Sequence, residues 1–115
     1  MASGPTAGFG EIVLPAVQEG SSFFQGKVNP VVPETLIQAC FLVLGLDRTV
    51  HAALEHGELN LNVFEGAAGF AVMESLMHLT RAIAKFTERC FTGIRANTKR
   101  TALYEETLAR LKQQS

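Results

Sequence analysis

The sequence predicts an all-α fold in which an irregular N-terminal segment leads into two long antiparallel helices and a shorter third. Three observations carry this expectation. All four prolines, together with Gly4, Gly8, Gly10, Gly20 and Gly26, fall in residues 1–33. From Pro33 onward apolar residues recur at helical spacing. Further on, Val72, Leu76, Leu79, Ile83, Phe86 and Cys90 follow one another at intervals of four and three, a heptad-like seam that packs along another long helix. The chain accordingly divides into residues 1–33, an irregular segment; 34–97, two long helices; and 98–115, a C-terminal helix.

Proline fixes its own φ and pushes the preceding residue out of the helical region, which keeps residues 1–33 irregular. An opening stretch of that length without secondary structure is unusual in a small domain; such a stretch is functional, disordered, or part of something larger. Pro33 suits a first helical turn, and Glu34 there complements the helix dipole. Leu36, Ile37, Cys40, Phe41, Val43, Leu44, Val50 and Leu54 then define a first helix over 34–56, with Gly57 as its stop. A polar stretch, 58–62, separates it from a second helix over 62–92, roughly 45 Å long at 1.5 Å per residue. Phe64, Phe70, Met73, Met77 and Phe91 lie off its seam, leaving more apolar surface than a monomer of this size can cover. The expected remedy is self-association or further chain. Gly93 ends this helix, Asn97 or Thr98 caps the next, and Leu103, Tyr104, Leu108 and Leu111 mark a third helix over 98–113.

The chain of 115 residues is 47% apolar and 18% charged with a net charge of −1, which leaves no basic excess for a nucleic-acid partner. Basic residues thicken between Arg81 and Arg100, but Glu88, Glu105 and Glu106 dilute them into a solvated helix face. Met1-Ala2-Ser3-Gly4-Pro5 lacks the order of a signal peptide, and the apolar run 41–46 is too short to span a bilayer. The expected location is the cytoplasm, with no membrane partner. Cys40 and Cys90 both sit in apolar helical patterns and read as small buried hydrophobes.

Chemistry concentrates in Gly20-Ser21-Ser22-Phe23-Phe24-Gln25-Gly26-Lys27-Val28-Asn29-Pro30-Val31-Val32-Pro33-Glu34. The glycines give backbone freedom, Ser21 and Ser22 offer hydroxyls, Lys27 a point charge for a carboxylate or phosphate, and Asn29 both donor and acceptor. Gly/Ser/Pro-rich stretches are also common plain connections into a helix. A phosphate-cradling P-loop is excluded. It needs four residues between its glycines and a hydroxyl residue after the lysine, whereas five separate Gly20 from Gly26 and Val28 follows Lys27. His51, His56 and His78 fall in no HExxH or CxxC context, so they read as solvated helix residues, His51 able to share a face with Glu55. A metal site is not expected from them.

This stretch resembles the signature loop of the aspartase/fumarase superfamily, which reads Gly-Ser-Ser-x-x-Pro-x-Lys-x-Asn. The resemblance extends through residues 3–15, through Val28-Asn29-Pro30-Val31-Val32-Pro33-Glu34, and through Gly57-Glu58-Leu59-Asn60-Leu61-Asn62-Val63-Phe64-Glu65 and Cys90-Phe91-Thr92-Gly93-Ile94-Arg95-Ala96-Asn97. It covers about residues 3–100, is nearer the aspartase branch than the fumarases, and fades beyond. It implies a reversible β-elimination on a small dicarboxylate, aspartate to fumarate plus ammonia, with no metal or organic cofactor. Ser21 matches the general base; Lys27 and Asn29 match carboxylate-binding positions; Glu34 matches the acid that supports a histidine on another segment; Gly20 and Ser22 shape the loop. It also implies that the two long helices belong to the central bundle of a homotetramer, whose active sites draw on three regions from three subunits. The sequence matches only the loop-bearing region, so the chain by itself is expected to be inactive.

Two residues depart from the family pattern: Gln25 stands where proline is expected and Phe24 where methionine is usual. Losing the proline raises the entropy of the open loop. Two alternatives follow. One is a fumarase-like hydratase or another fumarate-forming lyase. The other is a non-catalytic helical protein that keeps the scaffold to self-associate or to bind a full-length lyase.

Overall fold

The computed structural model describes residues 8–18, 23, 25, 26 and 28–113. Its elements run β1 (Ile12–Val13), α1 (Val31–His56), α2 (Glu65–Arg89), a short 3-10 turn (Phe91–Gly93), β2 (Arg95–Ala96) and α3 (Thr98–Gln113). The all-α expectation holds, with one small addition. Ile12 pairs with Ala96 and Val13 with Arg95 in an antiparallel two-residue ribbon, too short to leave a period-two pattern in the sequence.

Helix α1 begins at Val31, three residues before the expected start. Pro33 still falls in the first turn, where its missing N–H would have had no intrahelical acceptor. The first backbone bond runs from Glu34 N to Pro30 O at 3.0 Å. Helix α2 begins at Glu65 rather than 62 because Asn62 is used in the turn. Its Nδ2 donates to Ala53 O (2.8 Å) while its Oδ1 accepts from Phe64 N (2.8 Å), tying the end of α1 to the start of α2. Asn60 takes the left-handed conformation (φ 68°) that this reversal demands. Gly57 faces the Asn62 carboxamide so closely that a Cβ there would overlap it. At 25 residues, α2 is about 37 Å long, shorter than expected.

The two helices pack with large residues against small ones. On α1, the half-buried positions Leu36, Ala39, Val43, Leu46 and Val50 lead to buried Ala53, spaced three and four apart. On α2 the covered stripe is Ala68, Ala71, Ser75, His78 and Ala82, with Ala71 only 1% exposed. The expected seam is therefore displaced: Leu79 and Phe86 are half-buried and Cys90 buried, but Val72, Leu76 and Ile83 remain exposed. A narrow stripe rich in alanine and serine lets the backbones approach; Phe70, Val72, Met73, Leu76 and Ile83 of α2 face elsewhere.

Much apolar surface stays uncovered. Phe41, Leu44, Phe70, Met73 and Leu76 are each more than 60% exposed. The radius of gyration is 21.7 Å, against about 13 Å for a compact chain of this length. Cys40 is exposed on α1, contrary to expectation, because no second layer covers that face; Cys90 is buried, and both are free thiols. By length and composition α1 would be apolar enough to cross a membrane, with a mean hydropathy of 1.3 over its most apolar stretch. The α2 packed along it, however, carries Glu74 paired with His78 (3.2 Å) and Lys85 paired with Glu88 (3.5 Å). These ionisable groups would be costly at the same depth in hydrocarbon.

Candidate functional site

The site is built where the N-terminal segment passes the end of α2. Gly10 adopts a left-handed backbone (φ 63°), which glycine reaches at no steric cost. This turns its carbonyl toward Asn97, whose Nδ2 donates to it at 2.8 Å. Asn97 N donates to Glu11 O at 2.8 Å, so one residue grips two successive carbonyls of the segment. Asn97 also begins α3, resolving the choice of cap between Asn97 and Thr98. Its backbone oxygen accepts from Arg100 N (2.9 Å) and Thr101 N (3.1 Å), and its Oδ1 lies 3.4 Å from Arg100 N. Two further ties hold Phe9: its carbonyl accepts from Arg100 Nε (2.9 Å) and from the Tyr104 hydroxyl (3.4 Å). The Arg100 guanidinium lies 5.0 Å from the Tyr104 ring centroid, a cation–π contact that holds the donor pair together. At Gly93 a Cβ would come within 3.0–3.1 Å of the Pro15 ring, so glycine permits the close approach of the two strands.

Between this ribbon and the start of α1 lies a cavity of about 520 Å³, lined by residues 10, 12–16, 28–30 and 97. Its walls are largely apolar, with two carboxamides, Asn29 and Asn97, among them. Asn29 is half-buried, and its carbonyl accepts from Val31 N at 2.8 Å, which ties it to the first turn of α1. The structure thus brings Asn29 to a cavity wall across from the clamped strand. An amide donor in a cavity sheltered by apolar walls can bind a carboxylate oxygen more strongly than it could in water.

Of the other site residues expected from the sequence, Gly20, Ser21, Ser22 and Lys27 lie outside the described residues, as does Phe24. Gln25 and Gly26 form an exposed turn, with Gly26 at φ 76°. Glu34 stands exposed in the first turn of α1, where the positive end of the helix dipole favours its carboxylate. The histidines lie away from the cavity along the helices. His51 Nε2 is 3.5 Å from Asp47 rather than paired with Glu55, and His56 Nδ1 is 2.9 Å from Ala52 O. The sequence reading recognised Asn97 only as a cap. Its second role depends on a contact 87 residues away in sequence, and no local pattern signals it.

A family profile described as Lyase matches residues 1–45. Over most of its length the chain is similar to aspartate ammonia-lyases and to structures of fumarate lyases. Aspartate ammonia-lyase of Bacillus sp is 49% identical over 92% of this chain and 23% of its own length, and that of Escherichia coli K12 is 52% identical over 84% and 20%. Among solved structures, the fumarate lyase:delta crystallin of Brucella melitensis superposes with a TM-score of 0.75 at 50% identity, covering 86% of this chain and 22% of that one. A class II fumarase of Schistosoma mansoni superposes with a TM-score of 0.81 at 33% identity, covering 90% and 22%. The chain spans about a fifth of the length of the curated relatives it matches.

Proposed function

We propose that this chain supplies the loop-bearing region and two bundle helices of an aspartate ammonia-lyase. The observation that carries this reading is an identity of about half over most of the chain to aspartate ammonia-lyases. The fumarase likeness is lower in identity, 33%, and supports the shared scaffold more than the hydratase chemistry.

In the proposed reaction Ser21 takes a proton from the carbon next to the β-carboxylate of aspartate. The electron pair left behind is held as an enediolate by surrounding donors, then forms the carbon–carbon double bond as the α-carbon–nitrogen bond breaks and ammonia leaves. Lys27 and Asn29 hold substrate carboxylates, and their fixed charge and dipole stabilise the charge that develops. Gly20 and Ser22 shape the loop around Ser21, and Glu34 supports a histidine contributed from another segment. A serine is a weak base near neutral pH, so the reaction requires a closed, donor-rich site with little water.

Such a site needs partners. The accessible surface of the chain, 9227 Å², exceeds by roughly 3,000 Å² that of a compact monomer of its mass. That excess is of the order buried in an obligate interface. It supports assembly through the exposed faces of α1 and α2, with other copies or with complementary lyase subunits, in the cytoplasm. Purified chain incubated with L-aspartate is expected to form no fumarate by ultraviolet absorbance. Turnover that disappeared on Ser21→Ala would show instead that the chain is active without the other regions.

A further inference from the structure

The reading above gives Asn29 a substrate-binding role but assigns nothing to the residue across the cavity from it. Asn97 is half-buried, lines the same cavity, and is the only described residue that ties the segment before the loop through both its backbone and its side chain. One Nδ2 hydrogen goes to Gly10 O and the backbone N–H to Glu11 O, so Asn97 is tied to the segment at two successive carbonyls. Its part is to hold a wall in place. The wall it holds is the stretch 10–16, which faces Asn29 and leads into the glycine/serine-rich loop. Among the described residues, its other supports are two ribbon pairs, the Pro15–Gly93 contact, and the bonds of Arg100 and Tyr104 to the adjoining Phe9.

We propose that Asn97 is a positioning residue of the elimination site, fixing the strand wall opposite Asn29 through its side-chain bond to the Gly10 carbonyl. This rests on the lyase reading for its catalytic meaning, but the clamp itself can be tested without substrate. Asn97→Asp is nearly isosteric, keeps the Oδ1 acceptor and removes the donor. At neutral pH it sets a carboxylate against the Gly10 carbonyl, while the N-terminus of α3 and the nearby Arg100 guanidinium keep position 97 a good cap.

The experiment measures amide-exchange protection of the intact chain, with the side-chain amide signals of Asn29 in a nitrogen-resolved NMR spectrum. Asn97→Ala and Asn97→Asp at pH 7 are expected to lower protection in residues 9–15 by up to roughly tenfold and to shift the Asn29 signals, with α1 and α2 unchanged. Asn97→Asp keeps the cap acceptor and is expected to leave the first turn of α3 protected, which Asn97→Ala does not. Unchanged protection in 9–15, an equal loss across α1 and α2, or unmoved Asn29 signals would each overturn the proposal. Neither readout involves turnover, so these results stand apart from the fumarate assay that tests the lyase reading.

Discussion

The α1–α2 pair and the ribbon that carries the cavity hold their shapes by different means. The helix pair rests on a repeated contact, Leu36, Val43, Leu46 and Val50 against Ala68, Ala71, Ser75 and Ala82, in which no single residue is decisive. The ribbon rests on a handful of hydrogen bonds converging on Phe9, Gly10 and Glu11, with Asn97 giving two of them. Repetition makes the first region tolerant and legible; the second is specific, sensitive to one atom, and close to the candidate chemistry. Here the stable scaffold and the site-forming segment are separate structures, joined mainly at the end of α2 and at the start of α1.

The comparison can be broken most sharply at the uncovered face of the helices. Phe70→Lys with Leu76→Lys alters side chains 63% and 62% exposed in the single chain. It is expected to leave helical content intact by circular dichroism while weakening assembly by about thirtyfold or more, the effect of losing interface anchors worth at least ~2 kcal/mol. Light scattering would register the change. A double variant that assembled like wild type would remove the reason for the apolar excess.

Within the pair, Ala71→Leu forces four carbon atoms' worth of side chain into a site where alanine is 1% exposed. The expected cost is about 1–3 kcal/mol in urea unfolding, a loss shared by the whole α1–α2 unit. Asn62→Ala removes the bonds to Ala53 O and Phe64 N at the turn. It is expected to destabilise the pair by roughly 1–2 kcal/mol, with Gly57→Ala acting in the same direction because its methyl displaces the same carboxamide. At the small end, Arg110→Ala breaks an ion pair to Glu106 on α3 between side chains 73% and 58% exposed. Its effect on the unfolding midpoint is expected to correspond to no more than about 0.5 kcal/mol.

The difference between the two regions also explains what the sequence disclosed. The existence and order of the three helices were legible because apolar residues recurring every three to four positions report a buried face. Helix α3 was legible to its ends, since Asn97 and the preceding Gly93 mark a boundary chemically. The position of the α2 seam was less so. Its large residues Val72, Leu76 and Ile83 drew the eye to a face that remains open, while the covered stripe consists of alanine, serine and histidine. Small residues at a helix contact carry little hydropathy signal, although they are what lets the helices approach. Cys40 was misread because its apolar neighbours imply burial, but among the described residues no layer covers that face of α1. The ribbon was illegible because two-residue strands have no period and the Asn97–Gly10 bond joins distant parts of the sequence. The loop itself was readable as chemistry, from a hydroxyl pair, a cation and an amide at family spacing; of its assigned residues the structure describes Asn29 and, beyond the loop, Glu34.

The central claim is that this chain contributes the base-bearing region of a composite elimination site. The most direct measurement is the fumarate produced from L-aspartate by a chimera in which residues 3–100 replace the matching region of the Escherichia coli relative. Turnover is expected, falling by about a thousandfold or more on Ser21→Ala, the scale on which a catalytic base and its environment act. A folded, assembled chimera without turnover, or one whose turnover survives Ser21→Ala, would contradict it.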